Sequence, residues 1–265
     1  MPESLTASTC DLTVIQPRPS CVVLVMSCDA YKDLWTPFFT LFWRYWNDCP
    51  WPVYLGTNQE LFPDERVTTV KTGDHAWSER VRFCLNEIDS DFVLLMLEDY
   101  FLDSPVSTSE LNRALDALAS LGGAQLRLYP LPGPNRKAAA NPAFGSIDSR
   151  AAYRVSTQAA FWKREHLIDL LAVGESIWDF EWKGTERSRN YAGYYATYRA
   201  ILRYEQVIER GEWFRGAARR FGSQNIGCDF TVRPVMTRAT ALKRGITTAI
   251  RYWNLRVMAR LKFGG

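Results

Sequence analysis

The sequence is poor in the residues that build metal and disulfide frameworks. It has two histidines, His75 and His166, and its six cysteines form no CxxC pair and stand beside no histidine. Zinc spacings and disulfide scaffolds are therefore not what it spells. Cys10, Cys21, Cys28, Cys49, Cys84 and Cys228, several of them inside apolar segments, read as reduced thiols of a cytosolic protein. Long apolar runs are missing too: none approaches the ~18 residues that span a bilayer. The opening stretch MPESLTASTCDLTVIQPRPS has neither a basic start nor a long apolar core, so no signal peptide is expected. Acid is scarce at the other end. After Glu212 the one acidic residue is Asp229, against many Arg and Lys from Arg215 to Lys262. The formal net charge is only +3, so the asymmetry says more than the total. No nucleic-acid-binding module accompanies this basic end, and no nucleic-acid partner is expected.

What is present is an α/β alternation. CVVLVM (Cys21–Met26), Val53–Leu55, Val67–Lys71, Phe92–Leu97 and Gln125–Tyr129 are short runs dense in β-formers, suited to buried strands. Between them, Lys32–Trp46, Trp77–Ile88 and Thr108–Leu121 carry apolar residues at three- and four-residue steps, as helices require. The aromatics of the first helix read as core. On the second helix Val81, Cys84, Leu85 and Ile88 form the apolar face, with Arg80 and Arg82 off it. The spacing predicts an irregular Pro/Gly-rich loop from Pro130 to Asp148, an extended segment to Phe161 and a helix over Lys163–Leu171. A strand over Ala196–Leu202 and a helical coda over Tyr204–Glu209 and Glu212–Phe221 follow. Residues 1–20 read as a flexible leader, 21–221 as the catalytic unit and 222–265 as a basic extension. Within that extension Leu242, Ile246, Ile250, Trp253, Val257 and Leu261 form an amphipathic stripe. Such a helix lies on a membrane surface, or docks on the body or on a second copy.

Two acidic constellations stand out. Glu98 and Asp99 end the most apolar strand, with Tyr100 and Asp103 close behind. In an open α/β sheet ligands sit outside the carboxyl ends of the strands, where carboxylates hold a divalent metal on a diphosphate or hydrogen-bond a sugar; the plainer reading is the solvated start of a loop. Asp179 and Glu181 lie among Trp178, Phe180 and Trp182. Half-buried carboxylates there would have the raised pKa of a general base; alternatively Asp179 caps a helix. Arg136 and Lys137 either meet phosphate or are solvated.

In their order and spacing VVLVMSCDAY, GDHAWSERV, DFVLLMLEDYFL, and QAAFWKREHLIDLL leading to WDFEWKGTERS resemble a GT-A glycosyltransferase of bacterial surface-polysaccharide (O-antigen or capsule) biosynthesis, over residues 21–221. The resemblance implies a Rossmann-type mixed sheet flanked by helices, binding a nucleotide-diphosphate sugar. It puts Ser27, Asp29 and Tyr31 by the nucleotide base and ribose, and Asp74, Ser78 and Arg80 beside the nucleotide and its diphosphate. Glu98, Asp99 and Tyr100 stand where the family has its DXD motif. Glu181, or Asp179, takes the place of the base of inverting members. Two departures from the family pattern remain: the two acids are adjacent with Tyr100 in the third place, and no late histidine is present. The diphosphate is then expected to meet Mg²⁺ or Mn²⁺ on Asp99 and Glu98, or Arg80, Arg82 or Arg136. The implied acceptor is a glycan or lipid-linked glycan at the inner face of the cell membrane, with a homo-oligomer as a further possibility. Retaining transfer, nucleotidyl transfer and a non-catalytic glycan-binding or membrane-docked subunit are the competing functions.

Overall fold

The computed structural model describes residues 18–137 and 143–242. Most of the expected leader lies outside the described residues. So does nearly all of the amphipathic stripe, and with it the expected membrane-bound or docking tail. In chain order the elements are β1 (Cys21–Met26), a 3-10 segment (Asp29–Leu34) leading into α1 (Trp35–Tyr45), β2 (Val53–Thr57), β3 (Val67–Lys71) and α2 (Trp77–Glu87). Then come β4 (Phe92–Leu97), β5 (Tyr100–Leu102), α3 (Thr108–Ser120), β6 (Gln125–Arg127), β7 (Arg136–Lys137), β8 (Phe144–Ser146), β9 (Ala160–Lys163) and α4 (Arg164–Leu170). The described chain continues through α5 (Ile177–Ser188), β10 (Tyr194–Thr197), β11 (Tyr204–Gln206), β12 (Ile208–Glu209), β13 (Glu212–Trp213) and α6 (Arg215–Gly222).

Nine strands make one mixed sheet, ordered β3-β2-β1-β4-β9-β6-β10-β8-β7. The half from β3 to β4 is parallel, and β9 enters antiparallel between β4 and β6. The period-2 alternation of strands sends Val23, Val25, Leu94 and Met96 to one face and Leu24, Met26, Val93 and Leu95 to the other. On the first face lie Trp35, Phe38, Phe39 and Phe42 of α1, with Trp46. They pack mostly edge to face, Phe38 on Phe39 at 5.0 Å between centroids. At about 1.5–3 kcal/mol per buried ring they are core, as expected. The second face is covered by Val81, Cys84 and Leu85 of α2, Leu167 and Leu170 of α4, and Phe180 of α5.

From β1 the chain steps outward to β2 and β3, then returns to place β4 on the other side of β1. That reversal is a topological switch point, and it leaves a crevice beyond the carboxyl ends of β1 and β4. Everything below happens there.

Three local expectations are corrected. Tyr204–Glu209 is not helical: β11 pairs antiparallel with β5, Gln206 opposite Tyr100, and the Tyr204 ring stacks on Tyr100 at 4.5 Å. That pairing over a hundred residues of sequence overrides the local pattern. The strand expected over Ala196–Leu202 is Tyr194–Thr197. The loop 130–148 contains the β7–β8 pairing at the sheet edge, and Arg136 is ion-paired with Asp148. Cys21, Cys28, Cys49, Cys84 and Cys228 are free thiols. No helix among the described residues is long and apolar enough to cross a membrane. Residues 223–237 pack back on the body, burying Ile226 and Met236.

Candidate functional site

The switch-point crevice opens as a cleft of about 470 Å³. Its floor is the end of β1 and of β4: Met26, Ser27, Cys28, Leu97, Glu98 and Asp99. One wall is Arg80 of α2; another is Trp178 and Glu181 of α5 with Thr157 and Gln158 of the preceding segment. Gln206, Glu209 and Arg210 complete the lining.

The acidic floor is not a solvated loop. Glu98 and Asp99 are 8% and 9% exposed, because β11 runs over them and Val207 donates its N–H to the Asp99 carbonyl at 2.9 Å. Burial, then the neighbouring Asp99 charge, pushes Glu98 well above the usual carboxylate range. Burial likewise raises Asp99, to about 7, against the opposing hydrogen bond from Gln206, whose Nε2 donates to Oδ2 at 3.2 Å. Asp99 Oδ1 is buried and has no hydrogen-bond partner among the described residues. Two adjacent buried carboxylates, one with an orphaned oxygen, form a donor set that suits a hard divalent cation. Among the described residues no cluster of three or more His, Cys, Asp or Glu accompanies them, so the remaining ligands would be water or substrate oxygen.

The two carboxylates of α5 have separate tasks. Ser176 and Asp179 form a reciprocal capping box. The Ser176 hydroxyl donates to Asp179 at 2.6 Å and Lys183 pairs with it at 2.9 Å. These contacts, Ser176 first, hold Asp179 down at about 2; a raised pKa there is corrected, and the capping alternative describes this residue. Glu181 is the one that lines the cleft. Both the N–H and the hydroxyl of Thr157 donate to its Oε1, at 2.7 and 2.9 Å. Oε2 has no partner among the described residues. The mounting is tight: Thr185 Oγ1 accepts from Val155 N–H at 3.1 Å, and a Cβ added at Gly184 would meet Val155 Cγ1 at 3.4 Å.

The other expected residues divide. Ser27, Tyr31, Arg80 and Tyr100 line the cleft. Arg80 is buried rather than off the packed face, with Nε donating to Thr72 Oγ1 at 2.8 Å and an Nη to the Ser27 carbonyl. It therefore sets the floor in place. Asp29 does not line the cleft; it accepts from the backbone N–H groups of Asn58, Gln59 and Glu60 at 3.0, 2.9 and 3.2 Å and fixes the loop after β2. Asp74 accepts from Asn58 Nδ2 at 2.8 Å in the same network. Ser78 is buried and accepts from the Glu175 N–H at 3.1 Å, tying α2 to the start of α5. Arg82 donates to the Leu171 carbonyl at 2.6 Å, so of the cations expected at a diphosphate only Arg80 reaches the cleft.

Sequence reasoning missed one cation of the cleft, Arg210. Arg210 and Gly211 have φ of 50° and 79° and join β12 to β13, the two positive-φ residues of a tight hairpin turn. Arg210 is exposed, lines the cleft and pairs with no acid among the described residues. The signal was the Arg-Gly pair between short alternating stretches. Arg233 was also missed. It forks onto Asp33 at 2.8 and 2.9 Å and lies 3.9 Å over the Tyr31 ring, holding that side of the cleft.

No protein-family model and no curated protein sequence matches the chain. Solved structures with a similar course of the backbone include a TarS fragment from S. aureus. It has 14% identity and a TM-score of 0.43, with 67% of this chain and 60% of that one covered. A mannosyltransferase from Pyrobaculum calidifontis, solved in complex with GDP-Man and Mn²⁺, has 16% identity and a TM-score of 0.48, with 73% and 59% covered. The bifunctional IspDF of Campylobacter jejuni has 12% identity and a TM-score of 0.43, with 71% and 52% covered. The match thus spans about three fifths or less of each of these chains.

Proposed function

We propose that the chain is a glycosyltransferase that moves a sugar from a nucleotide-diphosphate donor to a hydroxyl of a glycan or lipid-linked glycan, with inversion, at the inner membrane face. The observation that carries this reading is the cleft at the switch point. It sets a buried acid pair, an exposed cation, Arg210, and a cleft-lining carboxylate, Glu181, around one space of about 470 Å³. A nucleotide sugar needs such a set: a place for the diphosphate charge, and a base beside the anomeric carbon. The catalytic unit is residues 21–221, with the segment to Met236 bracing it.

In this mechanism Glu181 Oε2 takes the proton of the acceptor hydroxyl. The acceptor oxygen forms a bond to the anomeric carbon as the bond to the β-phosphate oxygen breaks. The leaving electron pair stays on that oxygen, and nucleoside diphosphate departs. Arg210 meets the developing charge with charge-assisted hydrogen bonds. Glu98 and Asp99 would hold Mg²⁺ or Mn²⁺, which when bound neutralises diphosphate charge. Arg80 and Tyr31 shape the donor side, and Thr157 holds Glu181 by its other oxygen.

Two variants check these roles. Arg210→Ala is expected to raise the donor dissociation constant by about tenfold, the scale of one hydrogen bond to a charged group. Its melting temperature without donor should not change, because the side chain is exposed; titration calorimetry reads the affinity. Thr157→Val is expected to lower kcat by about tenfold with little change in donor KM, and Thr157→Ser to restore most of it. A KM effect alone would remove Thr157 from the positioning of Glu181.

The reaction class is tested by its products. Incubation with a nucleotide sugar and acceptor should release nucleoside diphosphate and a glycoside of inverted anomeric configuration by NMR. Release of sugar 1-phosphate from the nucleotide sugar, or of pyrophosphate from a nucleoside triphosphate and a sugar 1-phosphate, would identify nucleotidyl transfer instead, and retained configuration would overturn the role of Glu181.

A further inference from the structure

α5 presents two large aromatic rings to solvent. Trp178 and Trp182 are 66% and 65% exposed, although leaving a Trp ring in water forgoes one of the largest apolar burials a side chain offers. They are four residues apart, so they sit one turn apart on the same helix face, about 5–6 Å between Cβ atoms. Glu181 belongs to the same turn. Trp178 lines the cleft, and Trp182 stands one turn further along the same helix face.

We propose that these two rings are a stacking platform for the acceptor glycan. The inference rests on the glycosyltransferase reading of the cleft and names the place where the second substrate lies. Pyranose rings carry C–H faces that pack on indole while their hydroxyls stay in water, so an exposed pair of rings is suited to a sugar chain. The sugar stacked on Trp178 brings its hydroxyl toward Glu181, and the next sugar rests on Trp182. Continuity with the cleft argues for this occupant. Charge argues against a lipid surface: the cations beside the rings are paired with acids, Lys183 with Asp179 at 2.9 Å and Arg189 with Glu186 at 2.6 Å. That leaves no cationic excess of the kind interfacial helices use.

The test uses the full chain on an array of immobilised oligosaccharides and monosaccharides, with co-sedimentation on phosphatidylcholine–phosphatidylglycerol vesicles in parallel. Oligosaccharide binding is expected, weakened about tenfold by Trp178→Ala and by Trp182→Ala and less by Trp182→Phe, which keeps a ring. Vesicle binding should be equal in all variants. Absence of glycan binding by the wild type, undiminished wild-type binding by both alanine variants, or vesicle binding lost with the tryptophans would each overturn the platform. The nucleotide-sugar melting shift separates the two levels. If it persists in the wild type and in Trp182→Ala while glycan binding is unaffected, only the platform falls; if the wild type shows none, the donor reading falls with it.

Discussion

Glu181→Gln is expected to lower turnover by about 10²- to 10⁴-fold, the range of a general base, while donor affinity stays within a factor of about two. The amide keeps an oxygen to accept from Thr157, so the side chain stays where Thr157 holds it, and only proton acceptance is lost. Asp179→Asn is the internal control. Asp179 is two residues away, but it closes the Ser176 capping box; its replacement loosens the first turn of α5 and leaves turnover near that of the wild type. Single-turnover measurement of product with saturating donor reads both. Full activity in Glu181→Gln, or an equal loss in Asp179→Asn, would take the base away from Glu181.

Asp99→Asn is expected to weaken donor binding by about 10- to 100-fold and to stabilise the empty protein at alkaline pH. The sign follows from the raised pKa. Burial lifts Asp99 from its ordinary range near 4 to about 7, so the folded state binds more protons than the unfolded state between those values, and wild-type stability falls as pH rises through that window. Below about pH 4 both states carry the proton and the variant gains nothing; above about pH 7 the Asp99 charge beside Glu98 is present in the wild type alone. Melting temperatures at pH 4 and pH 8.5 should therefore diverge, with the variant higher at pH 8.5. Gln206 can still donate to the amide oxygen, so the packing survives. A variant less stable than the wild type at pH 8.5 would mean that the acid pair supports the fold rather than being held in it at a cost, as groups at functional sites often are.

Much of this architecture was legible in the sequence. The runs of β1 and β4 end in Ser27-Cys28 and Glu98-Asp99, and both ends reach the cleft floor. A run that is apolar on every residue must be covered on both faces, and both are. The side-by-side placement of β1 and β4 was not legible, because strand order depends on where the chain reverses and no local pattern encodes that. Asp179 and Glu181 were separable in principle: Ser176 three residues before Asp179 is a capping-box spacing, and it leaves Glu181 for the cleft. Arg80 was misplaced because hydropathy treats a guanidinium as solvent-facing, whereas this one is buried on Thr72 and the Ser27 carbonyl. Arg233 was submerged in the basic end after Glu212, and Arg210 lay between two glutamates, Glu209 and Glu212. Their importance comes from a hairpin turn and from an ion pair across two hundred residues, neither of which charge counting detects.

The account depends most on the cleft being a nucleotide-diphosphate sugar site, and a thermal-shift series tests that most directly. Wild type, Arg210→Ala and Asp99→Asn would be melted with UDP-, GDP- and dTDP-sugars, with a CMP-sugar as the monophosphate control, each with and without Mn²⁺. One diphosphate class is predicted to raise the wild-type melting temperature in a concentration-dependent way, as mass action requires. The shift should shrink in Arg210→Ala and lose its Mn²⁺ dependence in Asp99→Asn. No shift with any nucleotide sugar, or an equal shift in all three proteins, would contradict the assignment of this cleft.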